Sequence, residues 1–100
     1  MFGMAVPPKH LRDLYKLFSS VRSEEEAKKL LADILTPQEL SSVAERWQLI
    51  QELTKGTPQR DIAKKLKISI SKITRGSRML QYGGGGFGYF LKKLKKANQQ

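Results

Sequence analysis

Basic and hydroxyl side chains between residues 57 and 80 are the groups of this chain best suited to chemistry. The segment holds seven lysine or arginine residues and a single acid. These basic residues are Arg60, Lys64, Lys65, Lys67, Lys72, Arg75 and Arg78. Lysine and arginine neutralise phosphate groups, and hydroxyl and amino groups can also donate hydrogen bonds to base edges. The pattern favours nucleic-acid binding over catalysis, because one His, no Cys and scattered acids offer no nucleophile, base or metal cluster.

A short helix is predicted at the start of this segment. Thr57 can cap it with its hydroxyl, and Pro58 suits the first helical position, where its missing N–H costs nothing. Asp61 and Lys65 have the spacing of an ion pair on the exposed side. The residues predicted to face inward are Ile62, Ala63 and Leu66.

A second helix should follow after a tight turn, with Ser69 as its cap. Its predicted buried side is Ile70, Ile73 and Leu80, and its exposed side is Ser71, Lys72, Thr74, Arg75 and Arg78. A helix-turn-helix needs a small residue at the helix crossing and a left-handed residue in the turn, which places Ala63 and Lys67 there. Lys67 would then carry mild strain, because a Cβ in the left-handed region costs roughly 1 kcal/mol relative to glycine. The alternative is an ordinary helical hairpin with a solvated basic face.

Length and composition favour one domain over residues 1–100, with 39% hydrophobic and 28% charged residues. We expect no membrane partner, because no apolar run approaches the ~20 residues of a bilayer span. The N-terminus lacks the pattern of a signal peptide, so we expect a cytoplasmic location. Metal binding is not expected, since thiolates are absent and the lone His10 lies in a stretch that Pro7 and Pro8 should fray.

The net charge of +10 predicts a polyanionic partner. The positive charge is concentrated in residues 57–80, whereas residues 37–54 contain more acids than bases. The basic C-terminal end, residues 89–100, contains Lys92, Lys93, Lys95 and Lys96. We interpret it as a solubilising tail, with an added phosphate contact as the alternative. A protein that coats nucleic acid regardless of its sequence would also show such a charge.

Amphipathic helices account for the rest of the chain, which predicts an all-α fold of about six helices. Apolar stripes cover residues 11–18 and 27–34, and the second follows a capping box of Ser23 and Glu26. Thr36 and Glu39 form another box before the longest helix, which Gly56 should end. That helix has a predicted stripe of Leu40, Val43, Ala44, Trp47, Ile50 and Leu53, in which Trp47 packs rather than binds. A Gly-rich break at residues 83–88 precedes the last stripe, which contains Phe87, Phe90, Leu91 and Leu94.

These stripes are more apolar than one 100-residue monomer needs, so we expect a homodimer.

Three motifs resemble the bacterial tryptophan repressor family: LTPQEL at residues 35–40, ER at 45–46 and above all ITRGS at 73–77. The resemblance runs from about residue 35 to residue 80, with a looser match on either side. It implies an all-helical, intertwined homodimer that binds a near-palindromic operator in double-stranded DNA and represses transcription on the bacterial nucleoid. The resemblance further implies helix-turn-helix docking in the major groove, with base contacts that include water-mediated ones.

The resemblance also implies a pocket for L-tryptophan as corepressor. In the family two arginines enclose the indole, and the matching residues here are Arg46 and Arg75. Gly76 would leave room beside the ring, and the backbones of Leu35 and Thr36 would help to hold the amine. Met79 replaces a serine that binds the amine in the family, and a thioether accepts hydrogen bonds only weakly. Residues 78–83 resemble instead repressor-like regulators whose effector need not be tryptophan, so a regulator with another ligand or none is the alternative.

For DNA, the matching positions imply phosphate contacts from Gln59 and Arg60. The positions at or near base edges are Ile70, Ser71, Lys72 and Thr74. Lys64 and Lys65 are added to the DNA-binding set on charge alone.

Overall fold

Six α-helices and no β-strand make up residues 5–98, the part of the chain that this computed structural model describes. The helices are α1 (Pro8–Ser19), α2 (Glu24–Ile34), α3 (Pro37–Lys55), α4 (Gln59–Leu66), α5 (Ile70–Tyr82) and α6 (Gly86–Asn98). The all-α class and the number of helices are therefore confirmed, as is the prediction that the helix after Thr36 is the longest. The last two residues of the basic C-terminal end lie outside the described residues. No described helix is both long and apolar enough to cross a membrane.

The chain divides into two compact units, residues 1–40 and 41–100. The first contains α1, α2 and the first turn of α3, and the second contains the remainder of α3 and helices α4 to α6. The single-domain organisation stays a prediction.

Local caps begin the helices of the first unit. Pro7 is the cap residue of α1 and Pro8 lies at its start, so His10 is helical and the predicted fraying is wrong. The fixed φ of proline suits a first helical turn, which explains the difference. Ser23 Oγ accepts a hydrogen bond from Glu26 N at 3.1 Å, and Thr36 Oγ1 accepts one from Glu39 N at 3.1 Å. Both predicted cap positions are confirmed, and α1 and α2 contain no buried side chain.

The core of the second unit is a cluster of Leu49, Ile62 and Ile73, one residue from each of α3, α4 and α5. Leu49, which the predicted stripe of α3 omits, is only 5% exposed, whereas Val43 is 42% exposed. Val43 lies outside this core, which covers only the C-terminal half of α3. The partly buried residues packed against the cluster are Leu53, Ala63, Leu66 and Ile68.

Gly56 ends α3 as predicted. Its φ is +83°, its N–H donates to Leu53 O at 3.1 Å, and Thr57 N–H donates to Glu52 O at 3.1 Å. These two bonds form a Schellman motif. The predicted capping role of Thr57 is wrong, because Pro58 is the cap residue of α4 and the Thr57 hydroxyl donates instead to Glu52 Oε1 at 2.9 Å.

The turn between α4 and α5 has the predicted geometry. Lys67 adopts the left-handed conformation, with φ 56° and ψ 47°, and its N–H donates to Ala63 O. Ile68 N–H donates to the same oxygen at 3.3 Å. Ser69 Oγ then accepts a hydrogen bond from Lys72 N at 3.2 Å and caps α5, as predicted.

Helix α6 begins inside the predicted glycine break, at Gly86, and includes Gly88. The break is therefore shorter than residues 83–88. The Phe87 ring on α6 lies 6.1 Å from the Trp47 ring on α3, between centroids. Trp47 is half-buried in this contact, which agrees with the packing role expected for it.

Candidate nucleic-acid interface and ligand pocket

All eight side chains predicted to contact DNA are exposed on α4 and α5. Those on α4 are Gln59, Arg60, Lys64 and Lys65, and those on α5 are Ile70, Ser71, Lys72 and Thr74. The first turn of α5 contains no acid, and its free N–H groups add a partial positive charge. We call these eight residues the α4–α5 face; its chemistry suits a polyanion.

Ile70 does not belong to the core, contrary to the prediction of a buried side chain. It is 51% exposed, and the buried positions of α5 are Ile73 and Gly76. Ile70 is the first residue of α5, and the core cluster begins one turn later, at Ile73. An exposed apolar group at a helix start can contact a thymine methyl group in the major groove.

Lys65 pairs with Glu52 and not with Asp61, so the predicted ion pair within α4 is wrong. Lys65 Nζ lies 2.8 Å from Glu52 Oε2, and the Glu52 side chain is only 6% exposed. The hydrogen bonds from Lys65 and from Thr57 lower the pKa of Glu52, although burial acts in the opposite direction. A buried carboxylate attracts a lysine more strongly than the exposed Asp61 does, which is the physical reason for the difference. Lys65 thus also fastens α4 to α3.

Lys72 pairs with Glu45 on α3. Its Nζ lies 3.0 Å from Glu45 Oε1, and the two side chains are 59% and 35% exposed. The amino group that was assigned to base edges is therefore bound to a carboxylate of the same chain.

A cavity of about 250 Å³ lies between α3 and α5, and Arg46, Arg75, Gly76 and Met79 are among its lining residues. These are four of the six residues predicted to bind a ligand. The other lining residues, which were not predicted to bind a ligand, are Ser42, Glu45, Leu49 and Lys72. Ser42, Leu49 and Lys72 lie three or four residues from Arg46 or Arg75, so helical spacing around the two arginines could have identified them. Glu45 is adjacent to Arg46 in the chain, and this spacing does not indicate it.

The two remaining predicted ligand residues belong to the first unit. Leu35 follows α2, and its N–H donates to Leu31 O at 3.1 Å. Thr36 caps α3, and its own N–H donates to Glu39 Oε1 at 2.8 Å. Both are held by local hydrogen bonds.

The lining of this cavity suits a small planar molecule that carries charge. Arg46 and Arg75 supply guanidinium planes for stacking on a ring or pairing with a carboxylate. Gly76 is buried, and a Cβ there would lie 2.6 Å from Leu49 Cδ2, so glycine maintains the close approach of α3 and α5. Glu45 is the single acid among the lining residues.

A second cavity, of about 380 Å³, is lined by Met79, Leu80, residues 83–88 and Phe90. No charged side chain lines it. Among the described residues no three His, Cys, Asp or Glu side chains are grouped to hold a metal ion.

Comparisons with known proteins agree with one another. The family model described as Trp repressor protein matches residues 9–95, from α1 into α6. A Trp operon repressor homolog of Chlamydia caviae is 36% identical over 85 residues, which cover 84% of this chain and 84% of that protein. One of Actinobacillus succinogenes is 33% identical over 92 residues, which cover 91% of each chain. The crystal structure of a TrpR like protein from Eubacterium eligens matches with a TM-score of 0.83 and 26% identity, covering 87% of this chain and 90% of that one.

Proposed function

Because this chain belongs to the Trp repressor protein family, a family of DNA-binding transcription regulators, we propose that it represses transcription by docking α5 in the major groove of a specific operator. The observation that carries this proposal is the α4–α5 face, where all eight expected contact residues are exposed together. Cytoplasmic, nucleoid-associated action follows from the same proposal.

Within the α4–α5 face, the residues divide into two kinds. Gln59 and Arg60 begin α4 and would fix the protein on the phosphate backbone, which carries no sequence information. Ser71, Lys72 and Thr74 lie on the exposed side of the first turns of α5 and would read bases directly or through water.

The proposal includes a homodimer, since two copies of α5 would reach successive major-groove faces of a near-palindromic operator, roughly 34 Å apart. Exposed apolar side chains of α1 support the homodimer. Leu14, Leu17 and Phe18 are all exposed in the single chain, and α1 contains no buried residue. Contiguous exposed apolar surface is typical of interfaces. Sedimentation equilibrium should give twice the chain mass, and Phe18→Asp should lower it toward one chain.

Sequence-specific binding can be tested without knowing the operator. The purified full chain would select duplexes from a randomised pool, and the enriched duplex would compete against a scrambled one. A specific regulator should prefer its operator by a factor on the order of 1,000. Equal binding of both duplexes would favour the alternative of a sequence-indifferent basic nucleic-acid binder.

Two variants separate the two kinds of contact. Lys72→Ala should change the preference among duplexes, because it removes a group near the bases. Arg60→Ala should weaken all duplexes alike and reduce the salt slope by about one unit. Equal losses on every duplex for Lys72→Ala would exclude a reading role for this lysine.

We further propose L-tryptophan as the corepressor, held between Arg46 and Arg75 in the 250 Å³ cavity. The two guanidinium groups support a flat aromatic ligand that carries a carboxylate. Isothermal calorimetry with L-tryptophan at two temperatures should show one site per chain, lost in Arg75→Ala. No heat at either temperature would favour a regulator with another ligand or none.

A further inference from the structure

The Glu45–Lys72 ion pair joins the two proposed sites of this protein. Glu45 lines the cavity, and Lys72 lines it as well while belonging to the α4–α5 face. The two residues lie 27 positions apart in the sequence, and their pairing connects α3 to α5. A ligand that binds Glu45 would therefore affect a side chain of the proposed DNA-binding surface.

The charge distribution in the cavity gives Glu45 a particular importance. Its lining contains three cationic side chains, Arg46, Lys72 and Arg75, and Glu45 is the only anion. Met79, in the same lining, is a poor partner for a cationic group because a thioether accepts hydrogen bonds weakly. An ammonium group in this cavity would find its one anionic partner in Glu45.

The pair is also weak enough to be exchanged. Its side chains are 59% and 35% exposed, and ion pairs at such positions contribute little to stability. The bond to Lys72 engages Oε1 of Glu45. A ligand ammonium can therefore replace Lys72 at small cost, whereas the carboxylate of Glu52, which binds Lys65, is only 6% exposed.

We propose that Glu45 is the ligand-ammonium site and the restraint on Lys72: in the free protein it holds Lys72 Nζ away from DNA, and an amine-bearing ligand takes that position and frees Lys72. The inference rests on the proposed function and defines the ligand class as small aromatic amines with an ammonium group. Because coupling between two binding sites is reciprocal, DNA should also raise the affinity for the amine.

A double-mutant cycle on DNA binding tests the restraint. Glu45→Gln keeps the shape of the side chain and removes its charge, so affinity for the enriched duplex should rise by about two- to fivefold without ligand, the range for an exposed pair. In the Lys72→Gln background the same change should have almost no effect. Asp61→Asn is the control: it removes an exposed carboxylate on α4 that is not paired with Lys72, and any gain it gives should persist in the Lys72→Gln background.

The ligand half of the proposal uses L-tryptophan and indole-3-propionate, which differ by the amine. L-tryptophan should strengthen duplex binding by the wild-type chain more than indole-3-propionate does, and this difference should vanish in Glu45→Gln. If L-tryptophan changes duplex binding equally in the wild-type chain and in Glu45→Gln, or changes it in neither, the assignment of Glu45 is overturned. A Glu45→Gln gain that survives in Lys72→Gln overturns the restraint. Failure of the proposed function is distinct, since the wild-type chain would then enrich no duplex. Circular dichroism would verify that each variant remains helical.

Discussion

Replacing Lys67 by glycine should stabilise this protein, although lysine is the better helix former. Lys67 is the one described residue other than glycine with a positive φ, 56°. A Cβ in the left-handed region costs about 1–2 kcal/mol, and glycine removes that cost. Glycine also has greater conformational freedom in the unfolded chain, which lowers the stability of the variant by about 0.5–1 kcal/mol. We expect a net gain of about 0.5–1 kcal/mol, which raises Tm by roughly 3–6 °C for a domain of this size.

Thermal unfolding followed by far-ultraviolet circular dichroism measures this gain, at equal chain concentration because self-association shifts Tm. Lys67→Ala controls for the lost charge, since it keeps a Cβ in the left-handed region and should bring no comparable gain. Lys64→Gly, at an exposed position inside α4, should lose about 1 kcal/mol. A Tm of Lys67→Gly equal to or below the wild-type value would refute the argument from backbone strain.

Three further predictions concern the residues that hold the second unit together. Glu52→Gln should destabilise the protein near neutral pH, because the folded state lowers the pKa of Glu52. The ionised carboxylate therefore stabilises the folded state above its unfolded pKa, and this stability is lost as the pH falls through the folded pKa. Urea midpoints of the variant should fall less between neutral and acidic pH, and parallel profiles would contradict this. Ser69→Ala should cost about 1 kcal/mol and Ser69→Asp much less in urea unfolding, because only alanine removes the cap of α5; equal losses would exclude a capping role. Gly76→Ala should cost about 1 kcal/mol of stability, because crowding against Leu49 costs about 1–3 kcal/mol and the gain in helix propensity is only about 1 kcal/mol. Higher stability of this variant in urea unfolding would show that Leu49 can move aside at little cost.

Features decided by neighbours in the sequence could be predicted here. The caps at Ser23, Thr36 and Ser69 each depend on an N–H three residues ahead. The left-handed residue at Lys67 followed from the spacing of two helix stripes. These local predictions hold in the folded chain because no residue from another element binds the same groups.

Two of the errors arose because a residue of another element bound a group that local spacing had assigned elsewhere. Glu52 accepts the Thr57 hydroxyl that was expected to cap α4, and also Lys65, which was expected to pair within α4. The burial of Leu49 depends on α4 and α5 packing against one end of α3. Spacing along one helix cannot reveal these choices.

The candidate ligand pocket shows the same division. Arg46, Arg75, Gly76 and Met79 were found through motif resemblance, and the structure places them together. The pair of Glu45 with Lys72 joins positions 27 residues apart, and no motif indicated it.

The Trp47–Phe87 contact has a consequence for spectroscopy. Trp47 is the only tryptophan of the chain, and its ring neighbours Phe87 on α6 at 6.1 Å. Its emission therefore reports whether α6 is docked on α3. It reports on a different contact from the turn at Lys67 and the cap at Ser69. A fluorescence melt would follow the departure of α6, while circular dichroism would follow the loss of all six helices. A gap between the two midpoints would measure how much earlier the C-terminal helix leaves the body of its unit.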